Sequence, residues 1–137
     1  LFTLGVALFQ DGQHEEGLRI LEERATANPK SPYHLAMLGW AYGRAGQATK
    51  ARDVLQRLTG MDKTRRISPV WLAWVHAGLD DRETAFAQLE LAYERRDPSM
   101  AFIGSFWTFD SIRDDPRFRS LLSRMKLDVY FPESTAR

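Results

Sequence analysis

Leu38-Gly39-Trp40-Ala41-Tyr42-Gly43-Arg44-Ala45-Gly46-Gln47, with Ala51 and Leu55 after it, is the stretch that decides the fold. Its landmarks recur at one fixed offset: Leu4-Gly5 returns as Leu38-Gly39, and Gly12 as Gly46. Leu21 returns as Leu55 and then Leu89, while Gly17 aligns with Ala51 and Ala85. A period of roughly 34 residues belongs to helix–turn–helix units stacked side by side. One helical pair cannot bury its apolar face alone and must stack on its neighbours. The expected class is therefore all-α, an α-solenoid of about three helical pairs.

Helix signals agree with the period. Leu1, Leu4, Val6, Leu8 and Phe9 give residues 1–11 an apolar face, and Gly12 suits a left-handed turn residue. A second helix is expected over 14–27, with Leu18, Leu21 and Ala25 on one stripe and Asn28-Pro29 as its stop. Ser31-Pro32 offers a hydroxyl cap and a proline at the first helical position, opening a helix over 32–44. After Ala45-Gly46-Gln47 the next helix spans 48–59. Ser68-Pro69 repeats the start signal of Ser31-Pro32 but falls later than the period requires, so the third unit begins late and its turn at 78–81 should be tight. Asp80 with Glu83 reads as a capping-box-like start for a helix over 82–96. Residues 97–114 break the pattern with Phe102, Phe106, Trp107 and Phe109 in a loop-like stretch. Asp115-Pro116 then opens a last helix carrying Phe118, Leu121 and Leu122. The expected division is three repeats in 1–97 (1–31, 32–67 and 68–97), a C-terminal cap segment with its helix in 98–127, and a frayed tail, 128–137.

Composition narrows the function classes. The 137 residues carry 19 Lys and Arg against 18 Asp and Glu, a net charge of +1 that gives no reason to expect a nucleic-acid or membrane-surface partner. With no cysteine, disulfides and thiolate metal sites are excluded. No apolar run approaches the ~20 residues of a bilayer span, and a cytoplasmic location is expected. The chain opens inside a helical pattern without an initiator Met, as a piece cut from a longer protein would.

These residues resemble the tetratricopeptide (TPR) repeat family. The family pattern places Leu-Gly early in the first helix of a unit, a large residue three later, Gly at the turn, and a small residue early in the second helix. Leu4-Gly5, Leu8, Gly12, Gly17, Leu21 and Pro29 follow it, as do Leu38-Gly39, Tyr42, Gly46, Ala51 and Leu55. The third unit matches at Leu72, Ala85, Leu89 and Ala92, without the glycines. The resemblance covers roughly 1–96. The ending from Asp110 to Leu127, with its Asp-Asp-Pro-Arg-Phe run and Leu-Leu-Ser-Arg-Met, is similar to the close of TPR regions in bacterial multidomain proteins. In those, an adenylate-cyclase-like, kinase or winged-helix regulatory domain often comes first.

The resemblance implies a concave groove lined by the first helix of each unit and occupied by a peptide. By register it selects Phe2, Val6, Phe9 and Gln10, then Tyr33, Ala36, Trp40 and Arg44, then Val70, Trp74 and Ala77. Phe9, Trp40 and Trp74 would form an aromatic ladder, with large rigid contact area at small entropic cost. The equally weighted alternative packs these rings between helices or under the C-terminal segment. The Lys, Arg and Asn set that grips a peptide terminus in some TPR proteins has no counterpart beyond Arg44 and Gln10. His14, His34 and His76 fall on different units without metal-ligand spacing, and no catalytic or phosphate-binding motif is present.

The leading expectation is a non-enzymatic protein-interaction module without cofactor, the C-terminal part of a larger bacterial regulatory or signalling protein. Its partner would be a protein or peptide in the groove, with no nucleic acid or membrane engaged and homo-oligomers open. The alternative is a structural solenoid that packs on its own N-terminal domain or on itself. A sensor of apolar small molecules ranks third.

Overall fold

Three turns of one shape space the helices. In the computed structural model, which describes residues 2–61 and 66–127 (Phe2, Thr3 and Trp107 by backbone alone), the first helices of the pairs are α1 (Phe2–Gln10), α3 (Pro32–Arg44) and α5 (Pro69–Gly78). Their partners are α2 (His14–Ala27), α4 (Ala48–Met61) and α6 (Arg82–Glu94). First helices thus end at Gln10, Arg44 and Gly78, and second helices begin at His14, Ala48 and Arg82, at the constant spacing of the sequence repeat. At each turn one residue takes positive φ: Gly12 at 89°, Gly46 at 79° and Asp80 at 61°. Glycine does this without steric cost, and Asp is among the few side chains that tolerate it.

This corrects the reading of the third turn. It is as long as the others, and the late start of the third unit is absorbed by a shorter α5 instead. Asp80 is the turn residue rather than the cap. Asp81 caps α6, its Oδ1 accepting the Thr84 N–H at 3.2 Å. The Ser-Pro starts form caps too: Ser31 Oγ accepts from the His34 N–H at 3.3 Å, and Ser68 Oγ from the Val70 N–H at 3.1 Å.

The period also runs through the stretch that reads as a break. Residues 98–112 form two 3-10 helices, Pro98–Ser105 and Trp107–Ile112, the second ending one full period after α5. The last helix, α7 (Pro116–Arg124), likewise starts one period after α6 does. The segment therefore stands where a fourth helical pair would, its first helix wound into short 3-10 pieces. The join falls at Phe106, whose backbone is extended (φ −79°, ψ 108°). Met100, Ile103, Phe109 and Ile112 are buried from this segment, and Phe118, Leu121 and Leu122 from α7. Across α6 and α7, Arg117 reaches Glu83 at 2.8 Å and Arg124 reaches Glu90 at 3.0 Å, each pair again one period apart. The same guanidinium groups lie 4.5 Å over the Phe86 ring and 4.8 Å over the Tyr93 ring, so aromatic faces that would be wet are covered.

The core runs along α3 and α5. Leu35 through Tyr42 are all buried, which is why α3 reads as apolar all round. The two helices meet backbone to backbone: a Cβ on Gly78 would stand 2.6 Å from the Trp40 carbonyl oxygen. The tail 128–137, for which the sequence suggests fraying, lies outside the described residues.

Candidate partner-binding groove

The ends of α1 and α3 and the second 3-10 helix converge on a cavity of about 470 Å³, lined by Phe9, Gln10, His14, Trp40, Arg44, Thr108, Asp110 and Ser111. Its floor is aromatic. The Phe9 and Trp40 rings lie 5.4 Å apart, and the His14 imidazole stacks on Phe9 at 4.3 Å. The turns after Gln10 and Arg44 place these residues at equivalent helix ends, which is what brings side chains so distant in sequence to one opening.

The rim is polar. Arg44 faces Asp80 at 3.7 Å, beyond hydrogen-bond range. The Asp110 carboxylate accepts from Arg113 Nε at 3.1 Å, and the Ser111 hydroxyl donates to the Ala77 carbonyl at 3.3 Å. Arg113 also donates to the carbonyls of Gly104 and Phe106 at 2.8 and 3.0 Å, fixing the segment that carries Thr108 and Asp110. Thr108 is 2% exposed and its Oγ1 has no partner among the described residues. A floor of two mutually tilted, largely buried rings with polar groups at its edge suits noncovalent recognition of a side chain and its flanking main chain.

Four of the residues chosen by register, Phe9, Gln10, Trp40 and Arg44, come together here. The others do not. Ala36, Val70 and Ala77 are fully buried, Val6, about as buried as Phe9 and Trp40, does not line the cavity, and the side chain of Phe2 lies outside what is described. Tyr33 is 39% exposed, but it belongs to a second aromatic group with Trp71, Trp74 and Phe106. The three-ring ladder therefore breaks after Trp40. Trp74 is fully buried, 4.7 Å from Trp71 and 5.1 Å from Phe106, because the C-terminal segment packs over α5 where a groove would otherwise continue.

Thr108, Asp110 and Ser111 are missed by register reasoning that stops at residue 96. Extending the period finds two of them: Thr108 follows Trp74 by one period, as Trp74 follows Trp40, and Ser111 follows Ala77. The histidines stay apart. His34 Nδ1 meets Ser31 Oγ at 2.8 Å, and His76 sits 3.4 Å from Asp81 with burial pushing its pKa down. Among the described residues no group of His, Asp or Glu could hold a metal ion, and no helix is long and apolar enough to cross a membrane.

Residues 1–23 match one family model and residues 36–60 another, both described as tetratricopeptide repeat. No curated protein and no solved structure matches the chain.

Proposed function

Because this chain carries tetratricopeptide repeats, which generally mediate protein–protein interaction, we propose that it binds a protein partner through the cavity where α1 and α3 end. The observation that carries this reading is the convergence of Phe9, Gln10, Trp40 and Arg44 on one aromatic-floored opening. The module is non-catalytic and needs no cofactor. It works in the cytoplasm as the C-terminal part of a larger bacterial regulatory or signalling protein, with no nucleic acid or membrane among its partners. Leu4, 49% exposed on α1, favours a second reading in which that flank packs on another part of the same protein or on a second copy.

A photo-crosslinking residue placed at Gln10, on the cavity, is compared with one at the exposed Gln56 on α4. Crosslinks to a partner are expected from Gln10 and not from Gln56, and a Trp40→Phe change should weaken them. Equal labelling from both positions, or labelling from Gln56 alone, would remove the groove from consideration.

A further inference from the structure

Resting on the reading in which the flank of α1 packs on another part of the same protein, we infer that one amphipathic helix of the polypeptide ahead of Leu1 covers that flank. It stands to α1 as α2 stands to α3, with its apolar side on Leu4, Ala7 and Leu8. Composition points there first. Among the described α-helices only α1 and α5 carry no Asp, Glu, Lys or Arg. Helix α5 runs through the middle of the fold against α3, α4 and α6, and most of it is buried. Helix α1 has the composition of such an inner element, yet it stands at the edge and packs chiefly on α2.

The repeat shows what covers this face elsewhere. Leu4, Ala7 and Leu8 share one side of α1, and one period later the same places hold Leu38, Ala41 and Tyr42. All three are buried in α3, Leu38 to 5% exposure, whereas Leu4 is 49% exposed, Ala7 exposed and Leu8 half-buried. On α3 the cover comes from α2. The Glu22 carboxylate accepts from the Tyr42 hydroxyl, Ala25 borders one cleft with Leu38, and Leu18 borders another with Tyr42. Since α1 is the first described helix, no described helix takes that place over it.

The chemistry of the face selects a helix. Leu4, Ala7 and Leu8 offer neither donor nor acceptor, so an extended segment laid on them would bury peptide groups without partners. A helix arrives with its main-chain bonds already made. Three side chains of a nine-residue helix give a contact far below the roughly 800 Å² per partner of a stable association between separate chains. A covalently joined helix needs no such area, because the linkage holds it at high effective concentration. This favours a segment of the same polypeptide over a second copy. Leu8 stands where Tyr42 does but has no hydroxyl, so the place of Glu22 calls for an apolar residue. The covering helix is therefore apolar at i, i+4 and i+7, the places of Leu18, Glu22 and Ala25.

The test uses the full chain with a second copy of residues 14–34 joined ahead of Leu1, which sets the added helix before α1 at the interval separating α2 from α3. The added copy carries Glu22→Leu. Its melting temperature should exceed that of the chain alone by about 5 °C, with amide exchange slowed in α1. A copy that also carries Leu18→Lys and Ala25→Lys should give no gain, and Leu4→Lys in α1 should cancel the gain of the first copy. In the chain alone Leu4→Lys, at a half-exposed site, should leave the melting temperature nearly unchanged, and that chain should sediment as a monomer. A monomer that gains nothing from the added helix, or gains as much from the Lys-bearing copy, overturns the helix and leaves the same-protein reading standing. A dimer that Leu4→Lys splits overturns both, since a second copy then covers α1. The groove is judged separately, by crosslinking from Gln10.

Discussion

Gly17→Ala sets the periodic pattern against the three-dimensional packing. Gly17 aligns with Ala51 and Ala85, both fully buried, so the alignment alone says that alanine is welcome in α2. Helix propensity agrees, since alanine in place of an interior glycine gains roughly 0.5–1 kcal/mol. The structure opposes it. A Cβ at residue 17 would stand 2.7 Å from the Phe9 nitrogen, 2.8 Å from the Gly5 oxygen and 2.9 Å from the Phe9 Cα. All three are backbone atoms of α1, which cannot turn aside as a side chain can. Relief requires moving α1 as a body, and overpacking of this kind costs about 1–3 kcal/mol. The repulsion outweighs the propensity, leaving a net loss of about 1–2 kcal/mol. Gly60→Ala in α4 is the control, because a Cβ there meets nothing within 4 Å. Urea denaturation should show the midpoint falling for Gly17→Ala and rising for Gly60→Ala, with m-values unchanged. Displacement of α1 also separates Phe9 from Trp40, so partner crosslinking from Gln10 should drop in the first variant only. If Gly17→Ala raises the midpoint as much as Gly60→Ala does, the close approach of α1 and α2 is not as described and the reasoning fails.

Trp74→Ala should cost about 3–5 kcal/mol in chemical denaturation, as deletion of a buried aromatic does; a soluble variant of unchanged stability would mean that Trp74 is surface after all. Arg113→Ala removes donors from the Gly104 and Phe106 carbonyls and should cost about 2–3 kcal/mol, with hydrogen exchange accelerating over residues 98–112; protection left intact there would refute a latch role. The Asp115 carboxyl is held at about 2 by its hydrogen bonds from Arg117. Since this lies below its unfolded value near 3.9, its stabilisation is present above about pH 4 and is lost as pH falls through about 2. Asp115→Asn should therefore flatten the acid limb of a denaturation midpoint against pH, and an unaltered slope would count against the assignment.

Much of the fold is legible along the chain because its signals are local. A capping hydroxyl before proline, a glycine after a helix end and apolar positions at helical spacing each act within a few residues. The stretch 97–114 resists such reading because its aromatic residues have no helical period of their own. Met100, Ile103 and Phe109 are buried by what α5 and α6 leave open, not by a pattern among themselves. Asp80 is misread for a related reason. Asp is chemically suited both to a cap and to a positive-φ turn, and only the position of the helix ends separates the two roles.

The candidate groove divides in the same way. Register selects Phe9, Gln10, Trp40 and Arg44, because residues at equivalent points of stacked helices must share a face. It also selects Val70 and Trp74, which lie under other residues, since a repeat pattern states which way a side chain points but not whether something covers it. The sequence by itself determined the helical class, the repeat period and the face that could bind. Tertiary structure decided how far that face stays open. Burial depends on contacts between residues far apart in the chain, here Phe106 against Trp74, a pair that stands off the repeat period and so leaves no trace in it.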